Sequence, residues 1–176
     1  MVALLRGINV GGRGKLPMSD LRAIATGLGY QDVATYIQSG NLVLSTGDGA
    51  AKVATDLAAV IASASDVSPA VVVRTRAQLA EVVATNPFLA RGEDPDHVHV
   101  VFTDGPAKAA LADLALDRYE PEQAIAVGSE LHLFLPGGVG RSRLAADLGR
   151  RKGAVGTQRG WRTVTKLLEL ADGAAG

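Results

Sequence analysis

The chain reads as an α+β protein in two halves of similar element order. Three observations lead there. The first 75 residues alternate β-branched runs with helix-spaced apolar stripes in the order β-α-β-β-α-β. From residue 97 onward the order β-α-β-β-α follows, with a last helix after it. Glycine or proline stands near most of the junctions, where the backbone must turn.

The elements follow in order. Val2 to Leu5 is a short buried strand, and Pro17 opens the first helix, where a missing N–H costs nothing. Met18, Leu21, Ile24, Ala25 and Leu28 recur at helical spacing, and Gly29 stops the run. Val33 to Gln38 and Asn41 to Ser45 form a hairpin over a two-residue Ser39-Gly40 turn. A second helix carries Val53, Leu57, Val60, Ile61 and Ala64, and Ala70 to Val73 is a β-branched strand. This is the split-βαβ, ferredoxin-like plan. Thr75 and Gln78 have capping-box spacing, opening a helix with Leu79, Val82 and Val83 inward. Asn86-Pro87-Phe88 ends that helix, and Arg91 to Asp96 reads as a surface loop.

In the second half His97 to Phe102 is a strand, and a helix bearing Leu111 and Leu114 starts at Gly105-Pro106. Gln123 to Val127 and Leu131 to Leu135 make a hairpin over Gly128-Ser129. After the glycine-rich stretch Pro136 to Gly140, Ser142 is placed to cap a helix carrying Leu144 and Leu148. The final helix, Trp161 to Ala171, aligns Trp161, Val164, Leu168 and Ala171, and 172–176 is a tail. The expected division is 1–75, a connecting helix and loop at 76–96, and 97–176.

Composition narrows the function. Apolar residues make up 47% and aromatics 4%, so the core is aliphatic. The absence of cysteine excludes disulfides, thiolate catalysis and thiolate metal sites, and suits a cytoplasmic protein. Arg6 interrupts the apolar start, so no secretory signal or membrane partner is expected. Net charge is zero but unevenly spread. Residues 141–166 carry eight cations against Asp147 alone, and residues 23–140 carry six cations against fourteen acids. The first 22 residues hold four cations against Asp20. Basic ends that meet in the fold would form one positive surface.

The opening loop is the most distinctive stretch. Four glycines (Gly7, Gly11, Gly12, Gly14) and three cations (Arg6, Arg13, Lys15) lie between a strand and a helix start. Such loops can cradle anions on bare N–H groups. A Walker loop is excluded: the position required to be glycine is Asn9, and Leu16 follows Lys15. The dinucleotide pattern does not fit either. A plain connector with solvated cations is the competing reading.

Several motifs share an order and spacing with a known family: Leu4-Leu5-Arg6-Gly7-Ile8-Asn9-Val10-Gly11-Gly12, Leu16-Pro17-Met18, Tyr36-Ile37-Gln38-Ser39-Gly40-Asn41, Asn86-Pro87-Phe88, Gly140-Arg141-Ser142 and Trp161 to Leu167. Over nearly the whole chain they resemble the bacterial family catalogued as domain of unknown function 1697. The resemblance implies two ferredoxin-like subdomains and no established activity, substrate or cofactor. It also implies Asn before the tryptophan that opens the last helix, where this chain has Gly160.

A binding site for a small anionic or phosphorylated ligand is drawn from Arg6, Asn9, Lys15, Gln38, Ser39, Asn41, Arg141, Ser142, Arg159, Thr163 and Lys166, converging in a cleft between the halves. Arginine forks match phosphate, and hydroxyls and amides complete a cradle. Turn chemistry and solvated cations would explain the same residues. Nucleic acid is the second reading, through the backbone contacts that Arg150-Arg151-Lys152 offers, although the base-stacking aromatics of the RNA-recognition module are missing. An enzyme using the same pocket is the third. It lacks a recognised catalytic motif, and its cofactor is unknown. His97, His99 and His132 lack the spacing of a metal motif, so no metal is assigned.

Overall fold

The computed structural model describes residues 1–9, 15–151 and 156–173. The chain divides into two units, Met1–Ala80 with Lys166–Gly176, and Glu81–Thr165. Each contains a four-stranded antiparallel sheet with the ferredoxin-like strand order. Of the sequence features above, Gly11, Gly12, Arg13 and Gly14 of the opening loop, Lys152 of the basic cluster and the tail residues 174–176 lie outside the described residues.

In the first unit the order is β1 (Val2–Leu5), α1 (Met18–Gly27), β2 (Gln31–Tyr36), β3 (Asn41–Ser45), α2 (Ala50–Ala64) and β4 (Val71–Arg74). The sheet runs β2-β3-β1-β4. Pairing of Ala3 with both Leu42 and Val73 turns these three toward the helices. With Leu5 and Leu44 they pack against Leu21, Ala25, Val53, Leu57 and Ile61. Each fully buried valine, leucine or isoleucine here contributes roughly 1.5–3 kcal/mol. Val2, Leu4, Val43 and Val72, on the other face, are buried as well, so the central strands β1 and β3 are apolar at every position except Asn41 and Ser45. The hairpin differs from the two-residue expectation: four residues, 37–40, separate β2 from β3.

The second unit contains β5 (Val98–Thr103), β6 (Gln123–Val127), β7 (Glu130–Phe134), α4 (Arg143–Arg150) and β8 (Gly156–Gly160), in sheet order β6-β7-β5-β8. Two differences from the sequence reading stand out. The expected helix after Gly105 is two short 3-10 turns, Ala107–Leu111 and Leu116–Tyr119. The N–H of Ala107 bonds to Gly128 O in the β6–β7 turn, and Asp113 is left-handed (φ 61), which breaks a helical path. Strand β8 is new. Its two buried residues, Thr157 and Arg159, are polar, so no hydrophobic alternation marks it.

The remaining two α-helices are α3 (Arg76–Ala84) and α5 (Trp161–Gly173). The capping box at the start of α3 is formed: Gln78 N–H donates to Thr75 Oγ1 at 3.2 Å, and Thr75 N–H to Gln78 Oε1 at 2.9 Å. On α5 the buried stripe is Trp161, Val164, Leu167 and Ala171, with Leu167 in the place expected of Leu168.

Candidate functional site

The end of β1 opens into a junction built by one side chain. Asn9 is left-handed (φ 55), a conformation its short amide tolerates. Its Nδ2 donates to Leu16 O at 2.9 Å and to Gln38 O at 2.8 Å, while its Oδ1 accepts from Leu16 N–H at 2.9 Å. One amide thus ties the entry of the first helix to the tip of the first hairpin. Leu5 N–H donates to Gly40 O at 2.8 Å, and Arg6 N–H to Ala70 O at 2.9 Å.

The hairpin tip is equally constrained. Asn41 is fully buried; its Nδ2 donates to Tyr36 O at 3.0 Å and to Ser39 Oγ at 2.9 Å. Gly40 has φ 73, and a Cβ there would lie 2.6 Å from Ile8 Cδ1 and 2.8 Å from Leu5 Cβ, so no side chain fits. Between Tyr36 and Gln38, Ile37 is left-handed (φ 49) and 51% exposed. A non-glycine residue held in that region costs about 1–3 kcal/mol and persists only where its surroundings over-determine it.

Three cations border this junction. Arg6 is half-buried beside Gly7, and Lys15 is exposed, one residue before the bonded Leu16. Lys15 also lines a groove of about 300 Å³ with Leu16, Pro17, Asp20, Ile24 and Ser65. Lys166, on α5, bonds Glu169 Oε2 at 2.8 Å. That bond and the Glu169 charge hold its ammonium above the usual lysine range, with a smaller contribution from the nearby Tyr36 phenol.

Seven of the eleven sequence-derived residues therefore belong to the first unit (Arg6, Asn9, Lys15, Gln38, Ser39, Asn41, Lys166) and four to the second (Arg141, Ser142, Arg159, Thr163). Asn9, Gln38, Ser39 and Asn41 are brought together by direct bonds, and their amides and hydroxyl organise the loops. In the second unit Ser142 caps α4, its Oγ accepting from Ala145 N–H at 2.9 Å and donating to Glu122 Oε2 at 3.0 Å. The Glu122 carboxylate also accepts from Leu144 N–H at 2.9 Å, so the protein's own anion takes the N–H groups at this helix start. Arg141, next to it, is exposed. Arg159 is buried, donating from Nη1 to Thr157 Oγ1 at 2.6 Å and Gln158 O at 2.8 Å, and burial lowers its guanidinium to about 10. Thr163 is half-buried in the first turn of α5.

The family model described as "Protein of unknown function (DUF1697)" matches residues 1–132. The chain belongs to this family. No curated protein matches it. Among solved structures it is similar to conserved bacterial protein SP0830 from Streptococcus pneumoniae, at 22% identity and a TM-score of 0.78 over 97% of each chain. That likeness concerns the fold. The matched segment contains both loops of the junction and all of its bonds except that of Lys166.

Two features of this family member escaped the sequence reading. Ile37 looked like an ordinary hairpin residue; the signal was a β-branched residue where the loop has to turn. Asn86, read as a helix end, accepts from Phe88 N–H at 3.0 Å and Leu89 N–H at 3.3 Å and contacts buried His132. The three histidines do not converge. His132 pairs with Val100, so it faces the side opposite to His99. Among the described residues no group of three or more histidines and acids is arranged to hold a metal. No helix among them is long and apolar enough to cross a membrane.

Proposed function

We propose that the protein binds a small anionic ligand, of the phosphate-bearing class, at the junction of the opening loop and the first hairpin. The observation that carries this reading is the Asn9 amide bonded at once to Leu16 and Gln38. It fixes the loop ends bearing Arg6 and Lys15 against a strained hairpin tip, and preorganisation of this kind lowers the ordering cost of binding. Arg6 contributes a fork suited to phosphate and Lys15 a mobile point charge. Arg141, Ser142, Arg159 and Thr163 are left out of this first-unit site, because Glu122 already engages the α4 start and Arg159 is turned inward.

The test is a thermal-shift screen against inorganic phosphate, nucleotides, sugar phosphates and short RNA. A ligand that binds only the folded chain raises the melting temperature in proportion to ln(1 + [L]/Kd). A concentration-dependent rise with a phosphorylated compound, reduced in Lys15→Glu, is the expected result. No rise with any of them at millimolar concentration would refute the proposal. A rise with RNA alone would transfer the site to nucleic acid.

A further inference from the structure

Ile37 is out of place by every ordinary rule of folding. A β-branched residue is among the poorest choices for φ 49, where glycine or asparagine rests with little strain. Burial does not explain the choice, because 51% of its surface faces solvent. The conformation is nevertheless held from both sides. Asn41 Nδ2 binds the carbonyl that precedes it, on Tyr36, and Asn9 Nδ2 binds the carbonyl that follows it, on Gln38. Relaxing φ would cost one of those bonds. Two asparagines thus hold the backbone on either side of one solvent-facing apolar side chain.

The geometry points to Ile37 as a ligand-contacting residue whose side chain takes the face of a flat ring, which makes the ligand a nucleoside phosphate by chemical class. This rests on the anion-binding reading above. A protein partner needs about 800 Å² of surface on each side, and one isoleucine beside a half-buried tyrosine offers far less. The same area matches one heterocycle. The charged neighbour on the loop side is Lys15, one residue from the Asn9-bonded Leu16, while Lys166, near Tyr36, is already paired with Glu169. A molecule that joins a negative group to one flat apolar face satisfies both.

The experiment is calorimetric titration of the full chain with AMP, ATP, GTP, ribose 5-phosphate and inorganic phosphate. Wild type is compared with Ile37→Gly and Ile37→Asn, two residues that accept a left-handed backbone. Nucleoside phosphates are expected to bind at least tenfold more tightly than ribose 5-phosphate or phosphate. Both variants should melt at or above the wild-type temperature without ligand, yet lose at least fivefold in nucleotide affinity, a split that a structural role would not produce. Equal affinity for ribose 5-phosphate and nucleotide, or unchanged affinity in both variants, would overturn this inference and leave the anion site standing. Binding of RNA with no mononucleotide binding would also overturn it. No binding of any probe would remove both.

Discussion

The side-chain amide of Asn86 donates to Nδ1 of buried His132 across 3.1 Å. The direction is set by the oxygen of the same amide, which already accepts from Phe88 and Leu89 N–H, so the nitrogen must be the donor. His132 is therefore neutral with its proton on Nε2, and burial lowers its pKa to about 4.

Stability should fall with acid for that reason. Unfolded, the imidazole titrates near 6.5; folded, near 4. Between those values the unfolded chain holds the extra proton, so His132's contribution is complete above about 6.5 and is lost as pH falls toward 4. The loss is roughly 2–3 kcal/mol for this one group. His99, also lowered by burial, adds a change of the same sign. Urea midpoints at pH 7, 5.5 and 4.5 should drop steeply in wild type and less in His132→Gln; parallel slopes would exclude His132 as a source.

Substitutions at Asn86 separate its two roles. Asn86→Ala removes the acceptor for two N–H groups and the donor to His132, a loss of roughly 2–4 kcal/mol in chemical denaturation. Asn86→Asp keeps the acceptor but presents a carboxylate to the imidazole, which favours the charged ring. The His132 titration, followed by NMR, should move from near 4 to above 6.5, and the acid sensitivity due to this group should reverse.

Gly40→Ala should be among the most damaging single-methyl additions in the first unit. The new Cβ would sit 2.6 Å from Ile8 Cδ1 and 2.8 Å from Leu5 Cβ, on a backbone of φ 73. Strain and overpacking together should cost roughly 2–4 kcal/mol. A denaturation midpoint within error of wild type would show that the tip relaxes freely.

Thr75→Ala tests the start of α3. It removes the hydroxyl that accepts from Gln78 N–H while sparing the reciprocal bond to Thr75 N–H. The expected loss is about 1 kcal/mol, read as a shift in urea midpoint with an unchanged slope.

Much of this protein was legible because its signals are local. The β-branched run Val71-Val72-Val73 marks β4, Met18, Leu21 and Ala25 mark the inner face of α1, and Thr75 with Gln78 forms the box their spacing announces. Such patterns work because side-chain periodicity follows directly from backbone geometry. Strand β8 stayed hidden, since its inward residues are Thr157 and Arg159, and their burial is settled by neighbours distant in sequence. The Ala107–Leu111 segment was misjudged because helical spacing is a weak preference, and a bond from Ala107 N–H to Gly128 O outweighs it.

The candidate site divides along the same line. The residue types were visible in the sequence: Arg6 and Lys15 about a glycine-rich loop, amides at a hairpin. Their roles were not, because a role depends on the atom each side chain meets. Asn9 reaches Gln38, twenty-nine positions away, and Glu122 reaches the start of α4 twenty-two positions on. Sequence by itself determined most of the strands and helices, β8 and the 3-10 turns after Gly105 excepted, and which chemical groups are available. Tertiary structure decided which of those groups are occupied in holding the fold and that Ile37 is held strained in solvent, because hydrogen bonds and burial join residues that the chain keeps far apart.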